Sequence, residues 1–413
     1  MANFSAPRGT RDLLPEETQK WQYMEEVIRR VCGQFAYQEI RTPIFEHTEL
    51  FERGIGEATD IVEKEMYTFS DRGGRSLTLR PEGTAPVVRA YLENKLYGTA
   101  GPARLYYYGP MFRYERPQAG RYRQFHQLGI EAIGSQSPMV DAECIDLATS
   151  IFREMGLVDL HIQLNSIGCP QCRPNYREKL KELTKPHLEG LCSSCQSRWE
   201  RNPMRILDCK EEGCQERLAG LPGMDEYLCS ECADHLAELQ SYLQALEIPY
   251  EMNPRLVRGF DYYTKTVFEV ISSDIGAQAA IAGGGRYDGL VEECGGKPTP
   301  AVGFAAGLER ILLALEAAGK KLPTLDQVDV FVAFLGSGTG PVALEIAQGL
   351  RKQGRRVEVE VQGRSLKAQL KRADRLGVQE VIIVGEGELE RGEVTIRDME
   401  TGEQRQVPWR SLV

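Results

Sequence analysis

The densest concentration of reactive side chains lies in Leu105–Gly134, LYYYGPMFRYERPQAGRYRQFHQLGIEAIG. Arg113, Arg116, Arg121 and Arg123 alternate there with Tyr106, Tyr107, Tyr108, Phe112, Tyr114, Tyr122 and Phe125. A guanidinium fork can hold a phosphate or carboxylate through two parallel hydrogen bonds, and an aromatic face can stack on a base. Apparent strands on both sides of a Pro117-Gln118-Ala119-Gly120 turn predict a long antiparallel hairpin. Together these features suit a nucleotide site, although an edge hairpin carrying solvated charges would have the same composition.

Three further segments carry chemistry of the same kind. These are RPEGT with Glu82 and Thr84, RGFDYYTKTVFEV with Arg258, Tyr262 and Tyr263, and GFAAGLER with Arg310. Any one could be an ordinary buried ion pair. In combination they bring Arg113, Arg258 and Arg310, with several carboxylates, to one concave sheet. That set suits a reaction in which phosphate charge grows and must be met by fixed positive groups. The cluster Gly283-Gly284-Gly285-Arg286-Tyr287-Asp288-Gly289 lacks the spacing and the βαβ setting of a dinucleotide fingerprint, and no GxxxxGK[ST] loop occurs. A nucleotide would therefore be held by arginines on a sheet. The glycines would either let the backbone pass close to a small ligand or mark a β-bulge.

The elements that must position these groups follow from periodicity. Trp21, Met24, Val27, Ile28, Val31 and Phe35 predict a helix over about 17–35. Ile40, Pro43, Ile44 and Phe45 suggest a strand that Pro43 confines to an edge or bend. Ser76–Leu92 reads as strand, turn and a helix whose first turn contains Thr84. A helix over Asp141–Met155 and a strand at His161–Leu164 follow. Between about 168 and 254 the texture becomes Cys-rich and helical, and strand pattern returns at Arg255, so this stretch is expected to be an insertion in one mostly antiparallel sheet domain. After Lys320-Lys321-Leu322-Pro323, strands alternate with helices at about 339–353 and 365–376, the grammar of a small α/β unit. The expected fold is α+β: a mostly antiparallel sheet flanked by helices over 1–325, the insertion, and an α/β domain over 326–413.

With 413 residues the chain can bury a sizeable core, and its net charge of −10 argues against wholesale wrapping of nucleic acid while leaving room for a local basic surface. No apolar run is long enough to span a bilayer, and the first residues, MANFSAPRGTRDLLPEE, lack the apolar core of a secretion signal. A cytosolic, membrane-free protein is expected. Its eleven cysteines then read as thiols or metal ligands. Eight lie between Cys169 and Cys232: CPQC, CSSC (Cys192 and Cys195), Cys209, Cys214, and CSEC from Cys229. Pairs at this separation are a zinc-ribbon signal, and Cys169, Cys172, Cys192 and Cys195 could close one tetrahedral structural site. Buried or free thiols are the alternative.

On these motifs the chain resembles the histidyl-tRNA synthetases of bacterial type, within the class II aminoacyl-tRNA synthetases, from Pro7 to the C-terminus. The first helix with the Pro43 strand resembles class motif one, which in the family makes a dimer interface. Phe112-Arg113-Tyr114-Glu115 resembles the core of motif two, and Gly303 through Gly307-Leu308-Glu309-Arg310 motif three. RGFDYYTKTVFEV and AGGGRYDGL match the histidine-specific signatures without gaps.

The resemblance implies activation of L-histidine by ATP with Mg2+, then transfer to the histidine tRNA, by a cytoplasmic homodimer. It implies that Arg113 binds the ATP α-phosphate beside the histidine carboxylate. Arg258 would lie on the phosphate's other side, where related enzymes use a metal ion. Arg310 would pack on the adenine and reach the γ-phosphate, with Phe125 on the opposite face. Glu131 and Tyr263 would take the two imidazole nitrogens. Glu82, Thr84 and Gln127 would hold the α-amino group, and Tyr262 and Tyr287 would line the pocket. Arg116 and Gln118 would face the tRNA acceptor end, and the last domain would read the anticodon. There Arg364, Lys367, Lys371, Arg372 and Arg375 are candidates to track phosphates, though a charged helix face is more often simply solvated. No catalytic zinc is implied. The alternative is the synthetase-like regulatory subunit of ATP phosphoribosyltransferase, which senses histidine without charging tRNA and typically lacks the terminal module. A synthetase for another amino acid would need a different pocket.

Overall fold

A computed structural model describes the chain apart from residues 1–3, 57, 58, 60, 99, 119, 274–279 and 323–327. Ala119 of the hairpin turn, Pro323 and the expected 325/326 boundary thus lie outside the described residues. Two compact units are present, one of residues 1–14 and 24–321, the other of 15–23 and 322–413.

In the larger unit the sheet is assembled from distant segments. In chain order the elements are α1 (Pro15–Gln34, its first residues grouping with the second unit), β1 (Gln38–Glu39), β2 (Phe45–His47), α2 (Thr48–Ile55), β3 (Tyr67–Ser70), β4 (Ser76–Leu79), α3 (Thr84–Glu93), β5 (Ala103–Phe112), β6 (Gln124–Ile133), α4 (Pro138–Met155) and β7 (Leu160–Ser166). The Cys-rich segment follows with α5 (Arg173–Thr184), α6 (Ser193–Arg201), α7 (Glu212–Arg217) and α8 (Ser230–Ala245). Then come β8 (Tyr250–Met252), β9 (Thr264–Ser272), β10 (Ala280–Arg286), α9 (Leu290–Glu293), β11 (Ala301–Gly307) and α10 (Leu308–Ala317).

The eight-stranded sheet has the order β1-β5-β6-β11-β10-β9-β7-β8. Its six central strands are antiparallel, and only the short edge strands β1 and β8 pair in parallel. Two expectations need correction. Pro43 does not sit in one strand: it separates β1, on the main sheet, from β2, which joins β4 and β3 in a second sheet. A proline has no N–H to offer a ladder, so the chain changes sheets there. The main sheet also resumes at β8, before Arg255, because a three-residue edge strand is too short to show periodicity.

Among the described residues no helix is long and apolar enough to cross a membrane. In the second unit β12 (Val330–Leu335), β13 (Val357–Val359), β14 (Glu380–Gly385), β15 (Glu393–Asp398) and β16 (Gln404–Pro408) form a sheet of order β13-β12-β14-β15-β16. The strands β12, β13 and β14 are parallel, as strand–helix alternation predicts, with α11 (Thr339–Lys352) and α12 (Leu366–Leu376) between them. The antiparallel strands β15 and β16 are not anticipated from the sequence, since EVTIRD and QRQVP are short and polar.

Candidate functional site

Two adjoining cavities open on the β6–β11–β10–β9 face of the large sheet. The inner one, of about 230 Å³, is lined by Glu82, Thr84, Tyr107, Gln127, Glu131, Tyr262, Tyr263 and Tyr287, with Arg113 and Arg258 at its side. The outer one, of about 330 Å³, is lined by Arg113, Glu115, Arg121, Phe125, Gln127, Arg258, Glu269, Glu309 and Arg310. Arg113, Gln127, Arg258, Gly283 and Ala305 belong to both.

Each inner side chain is delivered by a regular element. Strand alternation points Glu131 of β6 inward, where its neighbour on β11 is Gly303. A Cβ built on Gly303 would lie 2.2 Å from Glu131 Oε2, so only glycine leaves room for the carboxylate. Thr84, at the start of α3, donates its hydroxyl to Glu131 Oε1 at 2.8 Å, Tyr107 donates at 3.4 Å, and Tyr287 donates a short bond to Oε2. Burial nevertheless dominates and pushes the Glu131 carboxyl up to about 8; the Tyr287 and Thr84 donors oppose the shift and the nearby Glu82 adds to it.

Glu82 accepts from the Thr84 and Ala85 amides at 2.6 and 2.9 Å, capping the N-terminus of α3. Its carboxyl is also raised by burial, against those amide donors. The aromatic wall is continuous: the Tyr262 ring lies 4.5 Å from Tyr263 and 5.7 Å from Tyr287, centroid to centroid.

The arginines are fixed by the sheet and by one another's surroundings. Arg113 follows the end of β5 and donates its Nε to Pro81 O at 2.7 Å, while its guanidinium lies 5.3 Å from the centre of the Phe125 ring. Arg258 donates to Glu269 at 2.7 Å and faces the Tyr263 ring at 5.7 Å. A Cβ on Gly283 would fall 2.4 Å from the Arg258 guanidinium, so this member of the glycine cluster makes way for an arginine. The β10 ladder is irregular between Gly285 and Arg286, as the β-bulge alternative expects.

Burial works against the Arg258 charge, yet Tyr263 and Glu269 more than offset it and the pKa rises. Arg310, by contrast, is lowered by burial and by the charge of Arg121. Among the described residues, two buried polar atoms of side chains lining the cavities have no partner: Arg258 Nε and Gln127 Oε1. Each such group in a folded protein calls for a ligand or water. Here one is a donor beside the arginines and the other an acceptor beside the carboxylates.

All the sequence candidates for histidine and nucleotide thus converge, whereas Arg116 and Gln118 stand on the exposed hairpin tip and line neither cavity. In the second unit Lys367, Lys371 and Arg375 form an exposed face of α12; Arg364 precedes the helix, and Arg372 is paired with Glu358. Sequence reasoning names Tyr107 and Arg121 only as members of the hairpin, without a role of their own, and does not single out Phe260 or Glu269. Tyr107 sits opposite Gly129 in the β5–β6 register, and Glu269 opposite Gly283. An aromatic or charged residue facing a glycine across a ladder is the signal that could have found them.

The single zinc site expected from Cys169, Cys172, Cys192 and Cys195 is not formed. Cys169 and Cys172 group with Cys229 and Cys232, while Cys192 and Cys195 group with Cys209 and Cys214. The reason is topological: after α7 the chain returns to the start of the insertion, so the CSEC pair at the head of α8 meets the CPQC pair ahead of α5.

An antiparallel sheet presenting arginines to one nucleotide-sized cavity beside a small polar pocket, with a separate α/β domain, defines a class II aminoacyl-tRNA synthetase. The histidyl-tRNA synthetase family profile matches residues 9–311, and an anticodon binding domain profile matches 329–413. The histidine–tRNA ligase of Desulforamulus reducens is 56% identical over 98% of this chain and 97% of its own length. That of Halothermothrix orenii is 52% identical over 100% of this chain and 98% of its own. The apo histidyl-tRNA synthetase of S. aureus superposes with a TM-score of 0.84 at 39% identity, covering 99% of this chain and 98% of that one. The chain belongs to the histidyl-tRNA synthetase family.

Proposed function

We infer that this protein is a histidine–tRNA ligase. The carboxylate of L-histidine attacks the α-phosphorus of ATP, pyrophosphate leaves, and the histidyl-adenylate then passes its acyl group to the 3′-terminal ribose of the histidine tRNA with release of AMP. The observation that carries this reading is the wall shared by the two cavities. Arg113 and Arg258 border both, so a carboxylate in the inner cavity and a phosphate in the outer one would meet between two guanidinium groups. No general base is required, because an amino acid carboxylate is ionised at neutral pH. Catalysis is positioning plus neutralisation of the charge that builds on phosphorus.

Roles follow from chemistry at each atom. Glu131 and Tyr263 complement the imidazole donor and acceptor, and Gln127 Oε1 with Glu82 and Thr84 suits an ammonium group. The outer cavity suits ATP carried as its magnesium salt: Arg310 and Phe125 flank the adenine position, and Glu115 and Glu269 supply oxygens near the phosphates. Residues 1–325 would be the catalytic domain and 326–413 the anticodon-binding domain. Arg116 and Gln118, exposed on the hairpin tip, and the Lys367–Lys371–Arg375 face are assigned to tRNA. Phe45 and Phe69 are 48% and 45% exposed on one face of the three-stranded sheet, and that apolar face supports a homodimer. Supplying translation places the enzyme in the cytoplasm. A histidine-sensing regulatory subunit is not favoured, since the similarity to histidine–tRNA ligases runs through the terminal module.

The test is exchange of labelled pyrophosphate into ATP. Exchange that depends on histidine is expected; none with histidine, or faster exchange with another amino acid, refutes the reading.

A further inference from the structure

We propose that the insertion holds two separate structural zinc ions, each in a four-thiolate site: Cys169, Cys172, Cys229 and Cys232 in one, Cys192, Cys195, Cys209 and Cys214 in the other. Within each group the four sulfurs all lie within 4.8 Å of one another. A tetrahedron of thiolates bonded to zinc at about 2.3 Å has sulfurs about 3.8 Å apart. Cys169 and Cys172 are 3.6 Å apart, Cys169 and Cys229 3.9 Å, and Cys192 and Cys209 3.8 Å. These separations are far beyond a disulfide bond of about 2.0 Å, and all eleven cysteines are free. They are also too compact for a four-iron cube, whose thiolates spread around the cluster, so each set encloses one ion. Four soft sulfurs in a tetrahedron select zinc or iron, and zinc is the ordinary structural choice.

The surroundings fit anionic sulfur. The Cys229 amide donates to Cys172 Sγ at 3.1 Å, Cys192 N to Cys214 Sγ at 3.2 Å, and Cys195 N to Cys192 Sγ at 3.4 Å. Around the second set the buried apolar cluster consists of Leu191, Ile206, Leu218 and three of the cysteines themselves. That is too little core to hold α6 and α7 by burial, the circumstance in which small folds rely on a metal.

The two ions would do different work. The first site adjoins the wall of the inner cavity: Gly168 O, one residue before Cys169, accepts from Lys265 N at 2.9 Å and Thr264 Oγ1 at 3.1 Å, and Arg173 donates to Tyr263 O. On α8, one turn after Cys232, His235 lies 3.2 Å from the Thr266 hydroxyl. The first zinc therefore positions the Tyr262–Tyr263 segment. The second anchors the start of α6, which presents Arg198 and Arg201 to a pocket with Arg205 and Lys64.

Metal analysis of the full-length protein, purified under reducing conditions, should find about two zinc ions per chain. Cys169→Ser/Cys229→Ser and Cys192→Ser/Cys209→Ser should each leave about one. The first double variant should raise the KM for histidine at least tenfold with a smaller change in kcat, and the second should leave it within about twofold. Should either variant fail to fold, cobalt substitution of the intact protein supplies the count: about two equivalents should give tetrahedral thiolate absorption before saturation. Saturation at one equivalent, iron in place of zinc, or a metal-free protein whose eight thiols all react while it stays folded would each overturn the proposal. The metal count stands apart from the enzymatic reading; only the KM comparison rests on it.

Discussion

The inner and outer cavities share a wall but solve opposite problems. In the inner one the decisive group is already satisfied: Glu131 accepts from Thr84, Tyr107 and Tyr287 within the protein. In the outer one, burial first and the charge of Arg121 second lower the pKa of Arg310. A closed network of neutral and anionic groups sets shape and donor pattern and hence selectivity. Several guanidinium groups facing one space, even with Glu269 and Glu115 beside them, attract a polyanion, and the attraction grows as the transition state gathers charge. On the proposed function, selection would fall mainly to the inner space and acceleration to the outer, with Arg113 and Arg258 shared between them.

The comparison can be broken most decisively at the shared wall. Arg258→Ala should lower kcat for adenylation by about 10²–10³-fold while weakening histidine binding far less. Single-turnover adenylation beside calorimetric histidine binding measures both, and a variant that only raised KM would remove Arg258 from the outer function. Within the inner cavity, Glu131→Gln should weaken histidine by about 10–100-fold, the cost of a buried polar group left without its partner, with ATP affinity little changed. Equal losses for both substrates would mean the cavities do not divide the work.

The same substitution has a stability consequence of definite sign. An ordinary glutamate titrates near 4.5, and Glu131 is pushed up to about 8, so between those values the folded protein keeps a proton that the unfolded chain has lost. Stability from this group is complete below about 4.5 and is lost as pH rises through about 8. In the absence of ligand, Glu131→Gln should therefore raise Tm relative to the parent more at about pH 9 than at about pH 5. Thermal melts with no difference between the two pH values would mean that the carboxyl is ionised and well solvated, and the reverse order that the fold favours its charge. The smallest effect is expected far from both cavities: Lys371→Glu should raise the KM for tRNA several-fold and leave pyrophosphate exchange unchanged.

Much of this architecture was legible from the chain. The α3 start at Thr84, the β5–β6 hairpin, the helices α11 and α12 and the Cys-rich insertion all declare themselves through periodicity, turn residues or composition, which are local properties. The arginines, tyrosines and carboxylates of the site were nameable because their side-chain types restrict the chemistry they can do. Their convergence on one sheet was expected, but its geometry was not legible. It required β6, β11, β10 and β9 to become neighbours, a pairing between segments far apart in sequence. The cysteines make the same point more sharply. Spacing alone marked CPQC and CSSC as metal-ligand pairs, yet which pair meets which depended on the return of the chain between α7 and α8, and that was decided by packing. Tyr107 and Glu269 became site residues only because a glycine faces each across a ladder, and register is a property of paired strands, not of either strand alone.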